Sequence, residues 1–256
     1  MLEEEVNYIM QGPFLDALPN KCYSHKNIDT LKVHVRNRKI NDGLYVDDIW
    51  PGAVMLADYL ADRPELVADK TVLELGAGAA LPSLVACRMR AAYVVISDFP
   101  DESIISNISA VLSENDIGLA SATVVGYRWG DGSSVLLESL YRFSGVKRGE
   151  RFQLILMAEL LWRDTYHLHG ALLRSAKSCL ADNGTIYVSY VNRTPEDNLL
   201  ICCDDFFLKA SSEYGFSVSK VANYRRNDVC SCEIVDVYIM ALTIADKSLT
   251  NKSSVI

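Results

Sequence analysis

Apolar positions along this chain switch between two rhythms. Thr71-Val72-Leu73-Glu74-Leu75 and Phe152 to Ala158 are short, near-continuous apolar runs, the pattern of parallel strands buried on both faces. Leu81, Leu84, Val85 and Met89 then recur at helical spacing, with Pro82 suited to a first helical turn. Further helical series carry Ile104, Ile105, Ile108, Val111 and Leu112, and later Leu199, Leu200, Cys203, Phe206, Phe207, Ala210 and Tyr214. In order, the pattern predicts strands at 71–75, 92–97, 122–127, 152–158 and 185–191, with a helix over 165–181 that stops at Asn183-Gly184. Two last strands, near 216–222 and 233–243, have no helix between them. They are expected to pair as a hairpin, with the last strand antiparallel. This alternation predicts an α/β fold with a doubly wound parallel sheet.

Ahead of that unit, residues 1–29 read as irregular. Leu31, Val33 and Val35 alternate with Lys32, His34 and Arg36, which predicts a half-buried strand outside the main sheet. Asn41-Asp42-Gly43 is a turn signal. Pro51 opens a helix that stops near Arg63-Pro64.

Between the strand at 71–75 and its helix lies Gly76-Ala77-Gly78-Ala79-Ala80. Two glycines let the backbone turn sharply and let a ligand lie against it. The helix N-terminus behind them offers free N–H groups. Three nucleotide-type ligands use such a turn. A dinucleotide fingerprint needs a small residue where Leu81 stands, and a P-loop needs a Gly-Lys-Ser/Thr end that is absent. The third is S-adenosylmethionine (SAM). Glu74 is an acid inside an apolar strand, and a buried carboxylate is costly unless paired. The ammonium and sulfonium of SAM would give it a partner.

Ligands of open α/β sheets bind beyond the carboxyl ends of the strands. Asp98 ends the second strand, where a carboxylate can accept both ribose hydroxyls, and Phe99 beside it can cover an adenine face. A dinucleotide also has a ribose, so Asp98 alone does not choose between them. Trp129 follows the third strand and can border the adenine. The fourth strand ends Ala158-Glu159-Leu160-Leu161-Trp162. There Glu159 can hold an amine and stabilise the charge that develops on nitrogen, and Trp162 can face the cationic product. Tyr190 and Arg193 close the fifth strand as candidates for the substrate mouth, as do Tyr224, Arg225 and Arg226 further on.

A net charge of −8 across 256 residues argues against a general nucleic-acid binder. The seven cysteines show no CxxC spacing, so neither a zinc site nor a disulfide framework is expected. His167 and His169 fall on different sides of a helix and read as non-ligands; no metal is predicted. The first residues lack a basic segment followed by an apolar one, and no stretch approaches the roughly 20 apolar residues of a membrane span. A cytoplasmic protein without membrane contact is the expectation.

Trp50-Pro51-Gly52-Ala53, the Val72–Leu84 stretch, Ser97-Asp98-Phe99-Pro100, Tyr127-Arg128-Trp129-Gly130 and Met157 to Trp162 occur in this order. The series resembles the lysine-methyltransferase-like branch of the class I, seven-β-strand SAM-dependent methyltransferases. Within it, the chain is most similar to the fungal elongation factor protein methyltransferases, once labelled nicotinamide N-methyltransferases. The resemblance implies a seven-stranded Rossmann-like sheet of order 3-2-1-4-5-7-6. One methyltransferase domain is expected, with an N-terminal extension (1–65), a SAM-binding core (66–245) and, from its polar composition, a disordered tail (246–256). The resemblance places Trp50, Glu74, Gly76, Ala77, Gly78, Asp98, Trp129 and Ala158 around the cofactor, beside the Phe99 already read from its position. Glu159 and Trp162 match an acid-x-x-aromatic motif that is usually Asp-x-x-Phe/Tyr. The implied activity is N-methylation of a protein amine, a lysine or an N-terminus, with a translation factor as candidate substrate and the enzyme acting as a monomer. The alternatives are a small-molecule N-methyltransferase of nicotinamide type and a methyltransferase-like binding protein without catalysis.

Overall fold

The computed structural model describes residues 20–34, 49–192, 199–227 and 234–245. The chain opens with a hairpin of β1 (Asn20–His25) and β2 (Ile28–His34), followed by helix α1 (Pro51–Ala61). Then come β3 (Thr71–Leu75), α2 (Leu81–Arg88), β4 (Tyr93–Asp98), α3 (Glu102–Glu114), β5 (Ala122–Gly126) and α4 (Ser134–Ser144). The remainder is β6 (Phe152–Ala158), α5 (His169–Cys179), β7 (Leu180–Asn192), α6 (Leu199–Ser212), β8 (Phe216–Asn227) and β9 (Ile234–Ile244).

Strands β3 to β9 form one sheet in the order β5-β4-β3-β6-β7-β9-β8. Counted from β3, this is the 3-2-1-4-5-7-6 order that the family resemblance implies. Only β9 runs antiparallel, to both β7 and β8. Every residue of β3 and β4 is buried, because helices cover both faces. Val72, Val94 and Leu154 pack with α1, α2, α3 and the β1–β2 hairpin. Leu73, Val95 and Ile155 pack on the other face with α4, α5 and α6. The order reverses between β3 and β6, so their carboxyl ends leave a crevice at the switch point.

The hairpin is tied down by polar contacts. Asn115 Oδ1 accepts the Lys32 N–H (2.9 Å) and its Nδ2 donates to the Lys32 carbonyl (2.7 Å). Tyr23 donates to Asp58 at 2.6 Å.

The structure differs from the sequence pattern at several places, among them β8, which runs on to Asn227 past its expected end near 222. Asn20–His25 is a strand, not irregular chain; Tyr23 is its buried aromatic, and a single anchor leaves little periodicity to read. A helix, α4, fills the segment before β6 that the pattern left without one. Only its Leu136 and Leu140 are buried, one turn apart, too sparse an apolar face to stand out. Helix α5 ends at Cys179, and Asn183-Gly184 fall inside β7, where the pairing with β6 jumps from Phe152↔Leu180 to Leu154↔Thr185. The Asn41-Asp42-Gly43 turn and the 246–256 tail lie outside the described residues.

Candidate functional site

The carboxyl ends of β3, β4, β5 and β6 open into a cavity of about 420 Å³. Trp50, Gly76, Ala77, Gly78, Asp98, Phe99, Trp129, Ala158, Glu159 and Trp162 line it, drawn together from five separate stretches of chain. A second groove lies along α4, lined only by residues between Val135 and Arg148 and touching no strand end.

The glycine turn is built from left-handed backbone. Gly76, Gly78 and Ala80 have φ of +66°, +53° and +58°. Ala80 carries a Cβ and still adopts this glycine-like conformation, at a cost of about 1–2 kcal/mol. The two glycines serve different ends. A Cβ on Gly78 would meet nothing within 4 Å, so its bare backbone faces open space. A Cβ on Gly76 would lie 2.6 Å from Leu160 Cδ2 and 3.0 Å from Trp129 Cζ2. Gly76 therefore makes room for side chains of this protein rather than for a ligand.

Glu74 is placed differently from the sequence reading. It does not line the cavity; it points to the face that carries α2 and is 1% exposed. Its Oε2 accepts both the N–H (3.1 Å) and the hydroxyl of Ser83, in the first turn of α2. The N-cap of α2, Ala80, makes no side-chain cap bond, so Glu74 supplies the acceptor from the neighbouring strand. Burial pushes its pKa up from 4.5 to about 8, opposed in part by the two Ser83 bonds. A carboxyl with a raised folded pKa stabilises fully below its unfolded value and loses that contribution as pH rises through the folded one. The wild-type unfolding midpoint is therefore expected to fall between pH 4.5 and 8 relative to that of Glu74→Gln. Parallel pH profiles in thermal melts would contradict this.

Asp98 does line the cavity. Its Oδ2 accepts the Gly78 N–H at 2.7 Å and its Oδ1 accepts the Phe99 N–H at 2.6 Å. The acid is thus fixed to the glycine turn. Burial raises its pKa, while the two backbone bonds counteract that. It is not the cap of α3: Asp101 takes that role, accepting from the Ser103 and Ile104 N–H groups. Arg128 stands 5.0 Å over the Phe99 ring, and both line the same wall. Neither Arg128 nor Thr165 carries a sequence signal of its own.

At the end of β6, Glu159 is 6% exposed with φ +56°, and its Oε1 accepts the Gly52 N–H of α1 at 2.9 Å. The Trp162 indole donates to the Glu159 carbonyl, and its ring meets Trp50 edge-on at 4.8 Å between centroids. Thr165 braces the same loop, its hydroxyl donating to Leu160 O and accepting the Trp162 N–H.

Of the predicted mouth residues, those whose side chains are described do not line the cavity. Tyr190 does not line the cavity; it stacks on Tyr238 and packs against Phe207, because α6 covers that side of β7. Arg225 pairs with Asp236 at 3.2 Å, away from the cavity. Arg193 lies outside the described residues. His167 lines the cavity, whereas His169 is buried between Tyr166 and Phe206, where burial pushes its pKa down to about 4.

A model of the lysine methyltransferase family matches residues 28–203. The chain belongs to that family. This lysine methyltransferase family member is similar to the protein N-terminal and lysine N-methyltransferase efm7 of Schizosaccharomyces pombe, with 30% identity over 72% of this chain and 69% of that one. It is also similar to the EFM7 of Gibberella zeae, with 33% identity over 69% and 68% of the two chains. Among solved structures, Pyrococcus horikoshii TYW2 in complex with MeSAdo matches with a TM-score of 0.55 at 16% identity, covering 88% of this chain and 72% of that one. An O-methyltransferase of Bacillus cereus in complex with SAH matches at 0.50, covering 77% and 82%. At such identities these two speak to the fold alone. The family member is a SAM-dependent methyltransferase.

The cavity suits that cofactor on its own chemistry. It offers an open glycine backbone at Gly78, a fixed buried carboxylate at Asp98 and aromatic walls at Phe99 and Trp129.

Proposed function

We propose that this enzyme methylates an amine of a protein, a lysine side chain or an N-terminus, and that Glu159 serves the acceptor nitrogen. The observation that carries this is a buried carboxylate and an indole, Glu159 and Trp162, at the end of β6 in the same cavity as the glycine turn. When bound, SAM supplies an electrophilic methyl group for in-line transfer to nitrogen. Asp98 would hold the ribose hydroxyls, Phe99 and Trp129 would border the adenine, and Trp50 and Ala158 would flank the methionine end. Glu159 accepts a hydrogen bond from the incoming amine and stabilises the positive charge that develops on it. Trp162 gives the cationic product an aromatic face.

A translation elongation factor is the substrate class that the family resemblance suggests, and the proposed setting is a monomer in the cytoplasm. No helix among the described residues is long and apolar enough to cross a membrane. Labelled SAM added to a cell lysate is expected to mark a discrete protein band. Label confined to the small-molecule fraction would overturn the protein-acceptor reading. Glu159→Gln keeps an acceptor for the Gly52 N–H but removes the charge. It is expected to slow single-turnover transfer about 100-fold. Calorimetry should find its SAM affinity within about threefold of wild type, since 1.4 kcal/mol would be tenfold; a parallel loss of affinity would place the residue in cofactor binding instead.

A further inference from the structure

Glu159 is gripped on its backbone and on its side chain. Its N–H donates to the Ser189 carbonyl at 2.9 Å, its carbonyl accepts the Trp162 indole N–H at 2.5 Å, and its Oε1 accepts the Gly52 N–H at 2.9 Å. Its φ of +56° is one that a residue with a Cβ keeps only when the surroundings over-determine it.

Gly52 is the second residue of α1 and is buried. Its φ is not positive, so nothing in the backbone there calls for glycine, and alanine is the better helix former. The reason for glycine lies across the interface, 107 residues along the chain. A Cβ at position 52 would stand 2.8 Å from Glu159 Oε1, 2.9 Å from its Cγ and 3.0 Å from its Cδ. These three atoms of the glutamate side chain therefore occupy the space that a side chain at 52 would take. The Gly52 N–H belongs to the first turn of α1, where N–H groups have no partner within the helix and attract negative charge.

We infer that Gly52 is a positioning residue for methyl transfer: its missing side chain seats the long Glu159 side chain on the α1 N-terminus and so aims the carboxylate into the cavity. The inference rests on the role proposed above for Glu159. It implies that residues 52 and 159 are matched in size. A methyl added at 52 pushes the glutamate off its donor, and a shorter acid at 159 makes the room again.

Gly52→Ala, Glu159→Asp and the double variant test this. Gly52→Ala is expected to slow labelling of the lysate protein band by about 10- to 100-fold, the scale of a misplacement near 1 Å. SAM affinity by calorimetry should stay within about threefold. Tryptophan emission should shift, because Trp162 is bonded to the carbonyl of Glu159, shares the cavity with its side chain and meets Trp50 edge-on. Adding Glu159→Asp should return the emission toward wild type and recover part of the rate, so that the double variant outperforms Gly52→Ala. A role for Gly52 against any neighbour other than Glu159 would not be rescued by a shorter acid, and a role in folding alone would leave the rate of a folded Gly52→Ala enzyme at the wild-type value. Emission and rate that stay at wild-type values in Gly52→Ala, or a double variant no better than the single, would overturn the inference. Should Gly52→Ala fail to fold, recovery of folding by Glu159→Asp supports the same seating, and no recovery overturns it. If the wild type itself labels no band, the proposed acceptor class fails, and the emission comparison alone decides the role of Gly52.

Discussion

Asp98→Ala is expected to weaken SAM binding by about 100-fold. A hydrogen bond to a charged acceptor is worth about 1.5–3 kcal/mol, and a ribose diol would make two of them. Some of that is offset by water in the vacated space, which leaves about 3 kcal/mol, or two decades. The variant also strands two donors. Gly78 N–H and Phe99 N–H now end on the carboxylate at 2.7 and 2.6 Å. Loss of that tether loosens the turn on which the cofactor would lie. Calorimetry gives the affinity, and a melt without SAM separates the turn from the ligand. Equal SAM affinity in wild type and variant would remove Asp98 from the ribose.

Gly76→Ala should be the most destabilising change in the turn. At φ +66° an alanine costs about 1–2 kcal/mol by backbone strain alone. Its Cβ would in addition stand 2.6 Å from Leu160 Cδ2 and 3.0 Å from Trp129 Cζ2. Overpacking of this kind costs about 1–3 kcal/mol more. Gly78→Ala shares the strain, with φ +53°, but meets no atom within 4 Å. Urea unfolding should therefore rank Gly76→Ala below Gly78→Ala by about 2 kcal/mol. Both should lose SAM affinity, the first because Leu160 and Trp129 are pushed out of the cavity wall, the second because its methyl points into open space at the turn. Equal stability of the two variants would mean that Leu160 and Trp129 give way freely.

Parts of this site were readable before any fold was drawn. The run at β3 is rich in strand formers and buried at every position because both faces of a central parallel strand are covered, and the pattern located it to the residue. Asp98, Phe99, Trp129 and Glu159 were found by a single rule: they follow strands, and strand ends converge where the order of a parallel sheet reverses. That rule says nothing about direction. Tyr190 also ends a strand, yet α6 draws it into a stack with Phe207 and Tyr238. Glu74 is an acid before a glycine turn, yet its side chain leaves toward Ser83.

The sequence by itself determined the strand and helix alternation of the core apart from α4, the terminal hairpin with its antiparallel last strand and, through its ordered motifs, the family and its cofactor. These depend on local periodicity and on short spacings, which a linear string preserves. Tertiary structure alone decided what each polar group binds and what each glycine is for. Glu74 serves α2, Gly76 makes way for Leu160 and Trp129, and Gly52 makes way for Glu159. The two glycine pairings join residues far apart in the chain, and Glu74 meets Ser83 only once α2 has folded back on β3. A missing side chain carries no pattern until its neighbour across the fold has been placed.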